Sequence, residues 1–157
     1  DSAKGFSDFG GRMDKGETPY AAALREWAEE LTGVLGNKKQ LGKKIKKNGG
    51  YLPLTFDTYH VHIVYLEYDE NLVDYYNNNH SFLWEKMDKN VLNDSKLFEK
   101  IEINWFTATQ MRKRRSEFRN FYRAFTDEFL KEEESIIEFI NKCRKKSKGR
   151  SKTQRKR

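Results

Sequence analysis

The clearest pattern of apolar and polar positions lies near the start of the chain, between Thr18 and Gly33. Apolar side chains recur there at helical spacing, at Tyr20, Leu24, Trp27, Ala28 and Leu31. This spacing predicts an amphipathic helix with one buried stripe. Thr18 is a favourable N-cap, Pro19 suits the first helical position, and Gly33 is a natural stop just after the last turn. The pattern therefore predicts a helix that begins at Pro19 and ends before Gly33.

Two later apolar runs predict β-strands. Residues 51–68 carry apolar side chains at both alternating sets of positions, which is typical of a central strand covered on both faces. Residues 97–106 place Ile101, Ile103 and Trp105 on one side of a second strand. Both predicted strands follow the helix in the chain.

The remaining segments predict helices and loops. Residues 110–140 carry a stripe of aromatic and isoleucine side chains and favour one long helix or two in series. Residues 37–47 hold six lysines and favour a loop or a short basic helix. Residues 74–80 favour a polar loop, and residues 82–87 favour a short helix.

The polar side of the first predicted helix carries candidate chemistry. Glu26, Glu29 and Glu30 stand at i, i+3 and i+4, so their carboxylates meet on one face and repel each other. A hard divalent cation with oxygen ligands would remove that repulsion, and Mg²⁺ or Mn²⁺ would suit the cluster. A solvated acidic face without a metal is the alternative that the helix alone leaves open.

The residues before the helix add a second signal. Gly11 is followed after five residues by Glu17, and after seven more by Arg25-Glu26 and then Glu29-Glu30. This spacing resembles the Nudix box of the Nudix hydrolase family. Two positions depart from the family pattern: Trp27 stands where an aliphatic residue is usual, and Thr32 stands where the family has glycine. Neither departure moves a carboxylate from its expected spacing.

The resemblance implies an α/β fold, a Nudix sandwich with a mixed sheet between the box helix and the C-terminal helix. The family places strands before the box, so the chain looks N-terminally incomplete over a Nudix domain of residues 1–141. The resemblance also implies a hydrolase that splits a diphosphate linked to another group, with water attacking phosphorus.

The resemblance further implies roles for individual residues. Glu26, Glu29 and Glu30 would hold Mg²⁺ or Mn²⁺, with Glu26 sharing in the activation of water. Arg25 would orient the glutamates by bidentate pairing. The turn at Gly10 and Gly11 would bring its backbone up to the metal, and Glu17 would support the cluster. A glutamate before the late strand often supplies a ligand or the general base in the family, which makes Glu102 and Glu99 candidates here.

The charge of the chain is unevenly distributed. The formal net charge is +7, but residues 142–157 hold ten Lys and Arg and no acid, so the other 141 residues carry 21 basic and 24 acidic side chains. This tail has no apolar period and is predicted to be disordered after a short helical lead-in. Polyanion binding, with Lys145 and Lys146 as contacts, or nuclear targeting are its functional interpretations. A tail that only solubilises is the alternative.

A second basic feature is a ridge on the predicted C-terminal helix. Arg112, Arg115, Arg119 and Arg123 fall at i, i+3, i+7 and i+11, a spacing that favours an RNA or phosphate contact. Together with the tail, this ridge favours a long, highly charged substrate. The 5′ cap of mRNA fits best, and the chain also resembles, loosely, the Nudix decapping proteins of large DNA viruses. Free or oxidised nucleoside triphosphates, inositol pyrophosphates, and a catalytically idle Nudix module that binds RNA are the alternatives.

Composition excludes several other classes. The single cysteine, Cys143, excludes an internal disulfide framework, and no Cys/His cluster has zinc spacing. No apolar run reaches the length of a membrane span. The sequence therefore predicts an intracellular, cytoplasmic protein, in a host cell or a virion, with no membrane partner.

Overall fold

The computed structural model describes residues 4–95 and 97–154, with side chains up to Lys148. The helices are α1 (Pro19–Glu30), α2 (Lys38–Asn48), α3 (Asn71–Lys86), α4 (Lys89–Ser95), α5 (Ala108–Lys113), α6 (Asn120–Lys131) and α7 (Glu133–Gln154). The strands are β1 (Tyr51–Phe56) and β2 (Tyr59–Val64), and one 3₁₀ turn spans Arg115–Glu117. No helix in the described part of the chain is long and apolar enough to cross a membrane.

The chain divides into two compact units. The acidic-helix unit comprises Phe9–Lys43 and Glu67–Trp105. The hairpin unit comprises the described residues of Asp1–Asp8, Lys44–Leu66 and Phe106–Arg157.

Helix α1 of the acidic-helix unit confirms the sequence prediction. The Thr18 hydroxyl accepts a hydrogen bond from the Ala21 amide, and Pro19 is the first helical residue. Two left-handed residues follow the helix, with φ of 53° at Thr32 and 71° at Gly33. Leu31 packs in this unit's core with Tyr76 and Phe98. Apolar residues around this core are Phe9, Trp27, Leu35, Leu83, Leu97 and Ile103.

The hairpin unit holds the sheet. Strands β1 and β2 pair antiparallel, with Tyr51 opposite Val64 and Phe56 opposite Tyr59. The prediction of one strand over 51–68 was therefore wrong. Side chains keep alternating across a two-residue turn, and Asp57 at φ 57° makes that turn.

The predicted fold class is only partly reproduced. The helices and the small antiparallel sheet agree with an α/β protein. Among the described residues the sheet has two strands, and the mixed sheet of the predicted sandwich is not found there. Residues 97–106 contain no strand, so that prediction was wrong as well.

Two helical predictions need correction. The predicted loop at 74–80 lies inside α3, because Leu72 and Tyr76 are buried and tertiary packing outweighs the low helix propensity of the asparagines.

The predicted helix over 110–140, taken as one long helix or two in series, is divided among α5, the 3₁₀ turn, α6 and α7. The break at Phe118 has a cause: Phe6 pairs with this segment, donating to the Glu117 carbonyl at 2.9 Å and accepting from the Arg119 amide at 3.0 Å.

The basic tail is helical where the structure describes it. Helix α7 continues through the start of the tail to Gln154, where disorder was predicted, and residues 155–157 lie outside the described residues. Lys and Arg are good helix formers, and cations near a helix C-terminus interact favourably with its dipole. Buried Cys143 also anchors α7, because a Cβ added at Gly49 would lie 2.7 Å from its Sγ. The helix therefore continues into the tail although the tail lacks the regular spacing of apolar residues that is typical of a packed helix.

Candidate metal and phosphate site

The acidic face of α1 is organised around the guanidinium of Arg25. Its Nη1 lies 2.7 Å from Glu26 Oε1 and 3.3 Å from Glu29 Oε2. Its Nη2 lies 3.1 Å from Glu17 Oε2 and also donates to the Arg12 carbonyl at 2.9 Å. One planar fork therefore fixes three carboxylates and the loop before the helix.

This pairing shifts the protonation equilibria of the site. Hydrogen bonds from Arg25 lower the pKa of Glu17 to about 2, with further help from the Asp14 amide and from Lys38. Lys38 Nζ lies 3.2 Å from Glu17 Oε1. Hydrogen bonds to Glu17 and Glu26 raise the pKa of Arg25 above its already high value. Glu17 and Arg25 therefore both carry their charges at neutral pH.

The glycine turn before α1 touches two of the predicted ligands. The Gly10 amide donates to Glu30 Oε2 at 3.0 Å. A Cβ at Gly11 would lie 2.6 Å from Glu26 Oε2, so a side chain at this position would occupy the space of that carboxylate. A side chain at residue 11 would therefore displace the Glu26 carboxylate from its present position. The turn therefore lies directly against the acidic face.

Glu30 differs from the other two glutamates because it is buried, with 6% of its surface exposed. Its Oε1 pairs with Lys100 Nζ at 2.8 Å. Burial raises the pKa of Glu30, while Lys100 and the Gly10 amide act in the opposite direction. Sequence reasoning missed Lys100, since nothing in its local pattern connects it to a residue 70 positions earlier.

The other catalytic candidates are not joined to this cluster. Glu99 and Glu102 are exposed, and within the described residues neither forms an ion pair or hydrogen bond with the carboxylates of α1. Their predicted role as ligand or general base stays a prediction.

The fit of a divalent cation can be tested on these contacts. No three His, Cys, Asp or Glu side chains in the described part of the chain are arranged to hold a metal ion together. However, Glu26 and Glu29 converge on one cationic atom, Arg25 Nη1, and carboxylate oxygens are the donors that Mg²⁺ prefers. These two residues therefore fit a divalent cation, whereas both oxygens of Glu30 already have partners.

The arginine ridge does not form as predicted. Its members fall in α5, the 3₁₀ turn, the residue before α6, and α6 itself, in the order Arg112, Arg115, Arg119 and Arg123. Three of them contact their own chain: Arg112 pairs with Glu133, Arg115 pairs with Asp127, and Arg123 donates to two backbone carbonyls. The Nε of Arg119 is buried and has no hydrogen-bond partner among the described atoms. The prediction of one helical ridge was wrong because the segment is broken at Phe118. The RNA-binding role of these arginines stays a prediction.

Unlike Arg112 and Arg115, which are paired with acidic side chains, the lysines in the described part of the tail are open to solvent. Lys145 and Lys146 are exposed on α7, and no ion pair engages either of them within the described residues. In α2, Lys39, Lys43 and Lys46 are exposed at i, i+4 and i+7, opposite the buried Leu41 and Ile45. Exposed lysines that lack acidic partners are suited to phosphate groups.

Comparison with known protein families gives a match over the part of the chain that contains this site. No curated protein and no solved structure matches the chain significantly. The family model described as the NUDIX domain matches residues 3–129, which include the glycine turn, Arg25 and all three glutamates of α1. Since this match covers most of the chain, the protein belongs to the Nudix family.

Proposed function

We propose that the protein is a Mg²⁺- or Mn²⁺-dependent pyrophosphohydrolase that removes the 5′ cap of mRNA. Membership in the Nudix family implies hydrolysis of a pyrophosphate bond in a compound linked to a nucleoside diphosphate. The observation that carries the proposal is the Arg25 fork, which holds Glu17, Glu26 and Glu29 beside the glycine turn. A stable surface helix would not need such a concentration of carboxylates.

Glu26 and Glu29, joined by Glu30, would hold the divalent cation that Nudix hydrolases generally use. The cation would neutralise charge on the diphosphate and make bound water more acidic. Glu26 would share in activating the attacking water. Arg25 keeps Glu26 and Glu29 oriented, and Glu17 fixes Arg25 in turn. Glu102 remains the candidate for a separate general base.

The exposed lysines of α2 and α7 support a long anionic substrate. In this proposal the cap binds at the acidic site and the RNA body contacts basic side chains, including Lys145 and Lys146. Free or oxidised nucleoside triphosphates and inositol pyrophosphates are alternative substrates of the same chemistry. An idle module that binds RNA without hydrolysis is the alternative from another class, and the Glu-x-x-Glu-Glu sequence argues against it.

The decisive experiment compares Mg²⁺-dependent hydrolysis of capped RNA, nucleoside triphosphates and inositol pyrophosphates. Glu29→Gln should reduce turnover of the preferred substrate at least about a hundredfold while leaving the fold intact. Glu138→Gln is the matched control, since Glu138 is an exposed helical glutamate outside the acidic face. Near-normal turnover of Glu29→Gln at saturating Mg²⁺ would refute the metal assignment. Preference for a free nucleotide would refute the cap.

A second experiment separates the RNA contact from the chemistry. Deleting residues 145–157 should raise KM for long capped RNA and flatten the salt dependence of RNA binding, by about 0.7 log units per log unit of salt for each lost phosphate contact. Hydrolysis of a short cap analogue should hardly change. An equal loss of activity on both substrates would show that this segment supports the fold instead. Unchanged activity on both would show that the tail does not bind the RNA substrate.

A further inference from the structure

The pairing of Glu30 with Lys100 conflicts with the use of Glu30 as a metal ligand. Lys100 Nζ lies 2.8 Å from Oε1, and the Gly10 amide donates to Oε2 at 3.0 Å. Both oxygens of the carboxylate therefore have a partner. A divalent cation can bind Glu30 only if one of these partners leaves or shares its oxygen.

The two partners differ in how easily they can move. Gly10 contributes a backbone amide, whereas Lys100 contributes the end of a flexible side chain of which 18% is exposed. The backbone of Lys100 is itself fixed, because its carbonyl accepts from the Tyr76 hydroxyl at 3.2 Å. The same hydroxyl donates to the Glu30 carbonyl at 2.8 Å. The ammonium can thus swing away from Glu30 while both backbones stay in place.

We propose that Lys100 is an internal cation that holds the Glu30 carboxylate in the metal-free protein and releases it when a divalent cation binds. This inference rests on the proposed function, because it takes Glu30 as a ligand. Lys100 is then a positioning residue that sets the affinity for the metal. It is not a catalytic residue, since it acts through Glu30.

Electrostatics explains why the site would use such a cation. A buried carboxylate without a partner is strongly unfavourable, so Glu30 needs a positive charge before the metal arrives. Once a doubly charged ion binds Glu30, an ammonium that remained in place would be repelled by it at a distance of a few ångströms. Metal binding therefore has to overcome the existing ion pair. Removing Lys100 removes this competition.

The test measures the affinity of the whole chain for Mn²⁺ alone by isothermal titration calorimetry. Lys100→Met should bind Mn²⁺ between about tenfold and a thousandfold more tightly than the wild type, because one like charge is removed from a poorly solvated site. Lys100→Arg should remain close to the wild type. Lys131→Met is the matched control: it removes the same charge from an exposed pair with Glu128 in the hairpin unit, and it should leave the affinity unchanged.

A measurement on the wild type keeps the proposal falsifiable if Lys100→Met does not fold. Amine acetylation followed by mass spectrometry should show faster modification of Lys100 in the presence of Mg²⁺, with no change at Lys131. Equal Mn²⁺ affinity of the wild type and Lys100→Met, or Lys100 reactivity that does not depend on Mg²⁺, would overturn the role of Lys100 and leave the proposed function standing. Failure of every variant to bind Mn²⁺ would overturn both.

Discussion

Replacing Tyr76 by phenylalanine removes one oxygen atom from the core of the acidic-helix unit. Tyr76 is fully buried, and its ring packs against Phe98 with the centroids 5.0 Å apart. Its hydroxyl donates to the carbonyls of Glu30 and Lys100 at 2.8 and 3.2 Å. Tyr76→Phe keeps the ring and its packing, so the loss reports on the hydrogen bonds of the hydroxyl, which include one with the Thr32 side chain.

The expected loss of stability follows from how the last carbonyls of α1 are hydrogen-bonded. The last carbonyls of a helix have no partner within it and need one elsewhere. Three carbonyls of the last turn accept backbone amides, those of Trp27, Ala28 and Glu29. Among the described hydrogen bonds, the Glu30 carbonyl has the Tyr76 hydroxyl instead. Leaving that buried acceptor unsatisfied should lower the free energy of unfolding by about 1–3 kcal/mol.

The assay is urea unfolding followed by circular dichroism, with thermal unfolding in parallel. A loss of this size corresponds to a decrease in Tm of about 2–12 °C for a chain of this length. Tyr75→Phe is the matched control, because Tyr75 is the neighbouring residue and is 61% exposed. If Tyr76→Phe unfolds at the same urea concentration as Tyr75→Phe, the hydroxyl does not hold the end of α1 and this reasoning fails.

Three further predictions concern the same unit. Asn77→Ala should lower the free energy of unfolding by about 1–3 kcal/mol and speed amide hydrogen exchange at Ile103, because the Asn77 side chain donates to the carbonyl of that residue and accepts from its amide. Asn78→Ala is the control at an exposed position and should change neither. Arg25→Lys should lower kcat at least about tenfold, since an ammonium cannot reproduce the fork, and unchanged kcat would refute the orienting role. Stability should also fall as pH decreases from 4.5 towards about 2, since the pKa of Glu17 is depressed in the folded state, and Glu17→Gln should flatten denaturation curves in that window.

Helix α1 could be predicted from the sequence because its determinants are local. The cap at Thr18, the proline at the first position and the left-handed exit at Gly33 lie within the helix or next to it. The pairing of Arg25 with Glu26 and Glu29 is also local, since these residues are one and four positions apart. Only Glu17, eight residues away, needed the resemblance to connect it with Arg25.

The hairpin and the broken C-terminal segment show where local patterns fail. Alternation of apolar side chains is the same in one long strand and in two strands joined by a two-residue turn, so only Asp57 and its positive φ separate the two cases. The prediction of an arginine ridge was wrong for a different reason. Its helical spacing was real in sequence, but Phe6 pairs with the segment around Phe118 and interrupts the helix.

The segment 97–106 shows most clearly what a single sequence leaves out. Its alternating apolar residues suit a strand, yet side chains from distant parts of the chain take the place of a neighbouring strand. Asn77 bonds both the amide and the carbonyl of Ile103, Thr32 accepts from the Phe98 amide, and Tyr76 donates to the Lys100 carbonyl. These side chains satisfy backbone groups of the segment without a neighbouring strand, and Phe98 has a left-handed backbone with φ of 53°. That arrangement also brings Lys100 to Glu30, so the contact on which the metal affinity is proposed to depend arises from the feature that the sequence could not predict.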